Sequence, residues 1–561
     1  MRGTALPRLS FGLALMIGLV SSVDGAWAAT KSSAWTVSGG PFFWLNNPRF
    51  TLTLSQTALV TVDLESPSVD PFLWVLDAAG GVILGNDNDS GDGTNSRLTL
   101  LLGPGKYQVV AATAGFDQTG DFTLRTSHGS LSYCFTAFTD SNYAGTASIF
   151  CGGTGSFLND EYSSFRIPKG MRLRAFEHSD RTGLSRTYYQ DVPSLGGLFN
   201  DKISAFSWGD LSTNDFYMLF ASDPQFSWKL CDDYDVPAQL CAQETHMFGS
   251  MSEEELARYY NSNLVIALNA VKAHLGDSKV AGVVVNGDLT ETGDKDTDLG
   301  DYVSIYERGL DMNLYAGLGN HDYDNYVDDC SENHCNSTMV WHLKEQVRTY
   351  GTFLFDYSES DDYYEFPSYR RDHSGSLAYS WDVGDVHFVQ LNNHPSYART
   401  WDGWNFSEAR RDYFTIRSAL SWLRFDLTLA TSRGKKIILN LHDFDTDAGN
   451  AEFKDILAAY PVSAIYSGHE HSHFGRIQEL GPYAGGKMLP VFRSGAAHYG
   501  TFMVARFLNG KMYVWLMSVD QFNQGRKLRV HYNGALHDAT NLDAIFNVSG
   551  TRYYQYVYDM R

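Results

Sequence analysis

Basic residues are scarce in this chain. Its 561 residues hold 43 lysines and arginines against 65 aspartates and glutamates, a formal charge of −22. That balance excludes a sequence-independent grip on nucleic-acid phosphates. Long apolar runs are also missing. Nothing approaches the roughly 18 consecutive apolar residues of a membrane-crossing helix, so no transmembrane segment is expected. No Cys-x-x-Cys pair occurs, which argues against zinc held by thiolates. No Gly-x-Ser-x-Gly elbow occurs, which removes the serine hydrolases built on that turn. The remaining composition is 43% apolar, 14% aromatic and 19% charged, that of a folded protein. The length exceeds what one hydrophobic core serves, and two to four domains are expected.

Residues 1–28 read as a secretory signal of bacterial type. Arg2 and Arg8 supply the basic start, Phe11 to Val20 the short apolar stretch, and Ala26-Trp27-Ala28 a small-x-small cleavage site. A secreted or periplasmic location follows as the expectation. Six cysteines fall in three close pairs, Cys134 with Cys151, Cys231 with Cys241 and Cys330 with Cys335. In an exported protein they read as disulfide staples.

Residues 29–128 alternate short strands with turns. Phe50–Leu54, Ala58–Val62, Phe72–Leu76 and Tyr107–Ala111 have the period of half-buried strands, and Gly80-Gly81 and Gly103-Pro104-Gly105 mark turns. A small β-sandwich is expected. The stretches Pro71–Gly80, Asn86–Ser90, Gly103–Tyr107 and Gly120–Leu124 resemble the bacterial pre-peptidase C-terminal domain, an accessory module of exported enzymes. Asp87, Asp89 and Asp92 form an acidic turn without EF-hand spacing, read as solvated.

Residues 129–212 repeat themselves at an offset of about 40 residues. Phe138-x4-Tyr143-x-Gly145 matches Phe176-x4-Arg181-x-Gly183, and Asn159-Asp160-x-x-Ser163-Ser164 matches Asn200-Asp201-x-x-Ser204-Ala205. The pair resembles a βγ-crystallin domain of two Greek keys, and the resemblance implies Ca²⁺ at the Asn-Asp-x-x-Ser turns, whose hard oxygens suit that ion. Arg181 stands where the motif has an aromatic residue and Ala205 where it has serine. Asx-type turns that cap strand ends are the alternative reading.

From 213 to 525 strands alternate with helices, the α/β pattern. Ser252 and Glu255 form a capping box opening a helix toward Gly276. Apolar strands end repeatedly in metal-type side chains: 216–222 before Asp223-Pro224-Gln225, 280–285 before Asn286-Gly287-Asp288-Leu-Thr-Glu291, 314–318 before Gly319-Asn320-His321-Asp322, 437–441 before His442, and 462–467 before Gly468-His469-Glu470-His471. Ligands of open sheets sit at the carboxyl ends of strands, so five such ends can meet at one site.

The order Asp-x-(His), Gly-Asp, Gly-Asn-His-Asp, His, Gly-His-x-His resembles the calcineurin-like metallophosphoesterase superfamily. It implies a four-layer αββα domain at 213–525 holding two divalent or trivalent ions (Mn, Fe or Zn), and phosphate-ester hydrolysis by a hydroxide bridging them. By motif position Asp223 and His471 bind the first ion, Asp288 bridges, and Asn320, His442 and His469 bind the second. Gln225 replaces the usual histidine, and either ligates through its oxygen or leaves the first ion loosely held. His321 faces the substrate as the catalytic histidine. Asp322 is either its orienter or a loop cap. Leu377–Gln390 matches the hairpin of the second sheet. His394 and His473 read as rim or structural residues.

The substrate is expected to be a phosphodiester or phosphomonoester, such as a phospholipid head group or a nucleotide-like molecule, with Tyr323, Tyr326, Trp401 and Trp404 as candidate contacts. The alternative is a surface-binding protein with an inactive phosphoesterase scaffold. The tyrosine-rich tail, 526–561, reads as a packed terminal strand. The whole is thus expected to be multidomain: two all-β modules, a sandwich and a double Greek key, before an α/β domain.

Overall fold

The computed structural model describes residues 27–36, 40–41, 47–157, 160–210, 215–233, 236–276, 278–293, 298–363, 369–483, 486–522, 527–548 and 553–560. All but the last two residues of the expected signal, and Asn159 of the first calcium motif, lie outside these.

The amino-terminal part is all β. One four-stranded sheet runs in the order Ala29–Trp35, Gly120–Thr126, Ala58–Glu65, Ser96–Leu102. A second, larger sheet contains Arg49–Leu54, Gly105–Thr113, Pro71–Leu76 and Ile83–Asp87. Its apolar residues face the first sheet, with Phe50, Leu52, Val60, Val62, Leu73 and Leu124 fully buried between them.

The next module is a pair of Greek keys. Each copy lends a short third strand to the other: Thr154–Ser156 pairs with Ala205–Asp210 of the second copy, while Val192 of the second bridges to Phe165 of the first. The long strand Ser130–Asp140 belongs to both modules. It pairs with Ala144–Cys151 on one edge and with Arg49–Leu54 on the other. The sheet is therefore continuous across residue 128, and the aromatics Phe135, Phe157, Phe165 and Phe206 share one core with the sandwich. The Cys134–Cys151 disulfide joins directly opposed residues of this sheet.

The remainder is the α/β domain. Its first sheet runs Leu314–Gly317, Val280–Asn286, Asp215–Ala221, Thr501–Leu508, Lys511–Val519, Leu528–Tyr532, Ala535–Asp538, with Tyr556–Asp559 also on Lys511–Val519. The tyrosine-rich tail thus completes the first sheet of the α/β domain. The second sheet runs Leu354–Phe355, Tyr379–Val383, Val386–Gln390, Lys436–Asn440, Val462–Ser467, Lys487–Ser494, Phe474–Tyr483. Stacked rings lock the two sheets face to face, Phe220 on Tyr466 at 3.7 Å and Tyr315 on Trp381 at 4.2 Å between centroids.

Helices cover both outer faces. Glu253–Leu275, opened by the Ser252/Glu255 capping box, buries Leu264, Leu268 and Val271 on the first sheet. Leu420–Ser432 and Ala451–Ala459 cover the second. The architecture is β modules followed by an αββα domain, as expected. Among the described residues, no helix is long and apolar enough to cross a membrane. The Greek keys dock on the Leu314–Gly317 edge of the first sheet through Arg174 to Asp311 at 2.7 Å, and through Asn313, which exchanges hydrogen bonds with the Thr187 backbone.

A histidine between two carboxylates sits in the second sheet. His387 is fully buried between Asp382 at 2.7 Å and Asp426 at 2.8 Å. Burial opposes its charge, but hydrogen bonds to Asp382 and Asp426 outweigh that and raise its pKa. Asp382 is likewise opposed by burial, yet held far below the usual carboxylate range by His387, Lys435 and Arg433. The raised histidine stabilises fully below about pH 6.5 and loses that as pH rises through its folded pKa. The depressed aspartate stabilises above about pH 4 and loses that as pH falls. We expect His387→Leu to cost about 3–5 kcal/mol by leaving the buried Asp426 carboxylate without its charged partner. In thermal unfolding the gap to wild type should be widest between about pH 4 and 6.5 and narrow on the alkaline side.

Candidate metal centre

The two sheets present their parallel strands in one direction, Asp215–Ala221, Val280–Asn286 and Leu314–Gly317 in one, Val386–Gln390, Lys436–Asn440 and Val462–Ser467 in the other. Their carboxyl ends meet at one edge of the sandwich. Four residues there adopt left-handed backbone angles rare for side chains: Asp223 (φ 50°), Gln225 (39°), Asp288 (48°) and His469 (74°). Such angles cost on the order of 1–3 kcal/mol each and persist only where surroundings enforce them. Here they turn each chain end sharply off its strand. The space between the ends is tight. A Cβ on Gly287 (φ 79°) would stand 2.6 Å from the His442 ring, and one on Gly319 would stand 2.1 Å from Asp288 Oδ1.

Asp288 is at the centre. Its Oδ2 is 3.0 Å from His442 Nε2, and its Oδ1 accepts the His321 amide at 3.0 Å. Burial opposes its charge, but His442 and His321 hold it far below the usual range. His442 Nδ1 lies 2.8 Å from the Asn286 carbonyl, so it donates there and turns Nε2 inward, 2.9 Å from Asn320 Oδ1. His469 Nδ1 is 3.2 Å from His442 Nε2. Burial, then the neighbouring His442, lowers the His469 pKa.

On the other side of Asp288, Asp223 is fully buried and accepts the His469 amide. His471 Nε2 is 3.5 Å from Asp223 Oδ1. Gln225 donates Nε2 to Glu291 at 2.7 Å, while its Oε1 is buried without a hydrogen-bond partner. A buried carbonyl oxygen left unpaired is costly and fits a site that takes a cation. Ligand atoms of Asp288, His442 and His469 lie within 4.8 Å of one another, as do those of Asp223, Asp288 and His471. Asp288 is common to both sets. Mixed carboxylate, amide and imidazole donors suit Mn, Fe or Zn.

The structure separates His321 from Asp322, which the sequence left as either its orienter or a loop cap. His321 Nδ1 faces Glu291, 2.9 Å from its carbonyl and 3.1 Å from Oε2. Asp322 makes no such contact. Its fully buried carboxylate accepts the amides of Leu289, Thr290 and Gly319 and the Thr290 hydroxyl at 2.8–3.1 Å. Of the two readings of Asp322 these contacts match the loop cap and not the orienter, and Glu291 is the carboxylate beside His321. The backbone turns Asp322 inward to tie the loop after Val280–Asn286 to the loop after Leu314–Gly317, and no oxygen remains for the imidazole. Burial, with Asp288 nearby, pushes the Asp322 pKa up to about 7. Burial opposes the charge of His321, but Asp288 and Glu291 raise its pKa to about 9.

Other expected contacts divide. Tyr326 donates to Glu291 Oε1 at 3.1 Å. Tyr323 and Trp401 are core residues, Trp401 bonding Ser337, because their rings pack under the loops. Trp404 is partly exposed. His394 pairs with Asp447 at 3.3 Å, and His473 is exposed beside Glu470. Sequence reasoning missed Trp228, Asp233 and His498, and gave Glu291 no role. His498 follows the strand Lys487–Ser494, and the strand-end rule applied to one more strand finds it. No local signal marks Asp233.

Residues 219–473 match the calcineurin-like phosphoesterase family, a metal-dependent class of hydrolases. The amino-terminal region is similar to a βγ-crystallin domain from Flavobacterium johnsoniae, at 26% identity over 14% of this chain and 96% of that one (TM-score 0.14). It is also similar to one from Clostridium beijerinckii, at 26% identity over 13% and 95% (TM-score 0.13). No curated protein matches the chain.

Replacing Asp322 by alanine leaves three buried amides without acceptors, at about 1–3 kcal/mol each. We expect Asp322→Ala to lower the unfolding midpoint in EDTA as well as with metal. A loss confined to activity, with metal-free stability unchanged, would contradict the clamp.

Proposed function

We propose that this chain is an exported, binuclear-metal phosphoesterase acting on a phosphodiester or phosphomonoester. The observation that carries the reading is the pair of donor sets sharing Asp288 at the strand ends. Asp223, Gln225 and His471 would hold one ion and Asn320, His442 and His469 the other, with Asp288 between them. Two such ions, when bound, neutralise phosphate oxygens and lower the pKa of a shared water.

The chain's own residues position the rest. His442 is committed to one tautomer by the Asn286 carbonyl, which fixes its Nε2 inward. Glu291 holds His321 through Nδ1, leaving Nε2 as the ring atom able to give a proton to the leaving oxygen. Trp228 packs its ring against both His321 and His471, at 6.1 and 5.8 Å between centroids, and shields that side from water. The unpaired Gln225 oxygen favours a working site over the inactive scaffold, because a scaffold gains nothing from a stranded buried carbonyl.

Export rests on the pattern at 1–28 and agrees with the three disulfides, Cys134–Cys151, Cys231–Cys241 and Cys330–Cys335. Ca²⁺ is proposed in the Greek keys, where Ser163 Oγ of one copy lies 3.2 Å from Asp201 Oδ1 of the other. Ca²⁺ added to metal-stripped protein should raise the unfolding midpoint, and Asp201→Ala should remove that increment.

The decisive assay is hydrolysis of bis-p-nitrophenyl phosphate and p-nitrophenyl phosphate by protein reconstituted with Mn²⁺ or Zn²⁺. Turnover of either ester is expected, with Asp288→Asn inactive and His321→Gln slowed roughly 10²–10⁴-fold in kcat with metals retained. Failure of the wild type to bind metal would sink the reading.

A further inference from the structure

His471 uses both ring nitrogens. Its Nε2 points to Asp223, and its Nδ1 lies 2.7 Å from Asp233 Oδ1. Asp233 is a buried carboxylate that takes two further donors, Trp228 Nε1 at 2.8 Å and His498 Nε2 at 2.9 Å. With three donors on its two oxygens it is hydrogen-bonded on all sides and has no reason to leave its place. An ionised partner on Nδ1 keeps the proton there and frees the Nε2 lone pair.

The segment carrying Asp233 is anchored apart from the strand ends. Cys231, two residues before it, is bonded to Cys241. Glu244, buried in the helix Ala238–Phe248, accepts the Leu230 amide at 2.9 Å on one oxygen and the Cys231 amide at 3.0 Å on the other. Tyr260 of the long helix donates to Glu244 at 2.6 Å. The loop is therefore tied covalently to a helix that is itself tied to the outer layer of the domain.

We infer that Asp233, held by this disulfide-closed loop, is a positioning residue that fixes the His471 tautomer and so builds the first metal position opposite Gln225. The inference rests on the metal reading above. It supplies what that position lacks in the sequence. Glutamine is a poorer donor than the histidine it replaces, and a neutral imidazole made more basic by a carboxylate on its far nitrogen is a better one. Asp233 touches neither substrate nor reacting atoms and acts only through His471.

The test uses full-length protein stripped with chelator and titrated with Zn²⁺, with metal content read per chain. Wild type should take up two ions. Asp233→Asn presents an amide to His471 Nδ1, with one acceptor oxygen for three donors. We expect it to bind one ion as wild type does and the other roughly 10–100-fold more weakly. Asp233→Glu, which restores the carboxylate, should recover part of the loss. Two ions bound by Asp233→Asn with wild-type affinities would overturn the inference and leave the phosphoesterase reading standing. No metal bound by wild type would overturn the reading beneath it. A second measurement does not depend on the variant folding. In ¹⁵N-histidine spectra of zinc-loaded wild type, assigned by loss of a signal in His471→Gln, His471 should carry its proton on Nδ1. A proton on Nε2 would overturn the inference.

Discussion

A carboxylate taken out of water stays ionised only if protons or cations face it on every side, and Asp288 imposes that condition on the site around it. It lies just past the end of the strand Val280–Asn286 with almost no exposure. His442 from the opposite sheet and the His321 amide from the neighbouring loop meet its two oxygens. The two sheets must therefore be stacked in one register before Asp288 is tolerable. The ring pairs between them, Phe220 on Tyr466 and Tyr315 on Trp381, supply that register with apolar area rather than charge. Core packing and site assembly are one constraint.

Three more carboxylates serve the centre without entering it. Asp322 ties two loops by their amides, Glu291 turns His321, and Asp233 turns His471. Each accepts several donors. This follows from the physics of buried charge, since an acid with one partner would protonate or swing out, whereas one with three or four is fixed. Rigidity of the outer groups is what lets the inner ones keep unfavourable backbone angles at Asp223, Gln225, Asp288 and His469.

The β modules are joined more closely than two beads on a string. Ser130–Asp140 pairs on one edge with the sandwich and on the other with the first Greek key, and aromatic residues of both fill one core. Hydrogen-bonded edges left open attract other chains, and a shared strand closes both at once. Docking through Arg174 and Asn313 then places this unit against the first sheet of the α/β domain, away from the strand ends.

Much of this was legible in the chain itself. Periodicity marked the strands, the capping box marked the long helix, and metal-type residues directly after apolar runs marked the strand ends, because each is a relation between neighbours in sequence. Close cysteine pairs were legible for the same reason. The partners of the site histidines were not. Asp233 and His471 are 238 positions apart, and Asp233 and His498 are 265 apart. Asp322 sits next to His321 in sequence yet points away from it, since successive side chains on a tight turn leave in different directions. Sequence determined which chemistry reaches each strand end. Only the stacking of the two sheets, which sets side-chain direction across hundreds of residues, decided which carboxylate holds which imidazole.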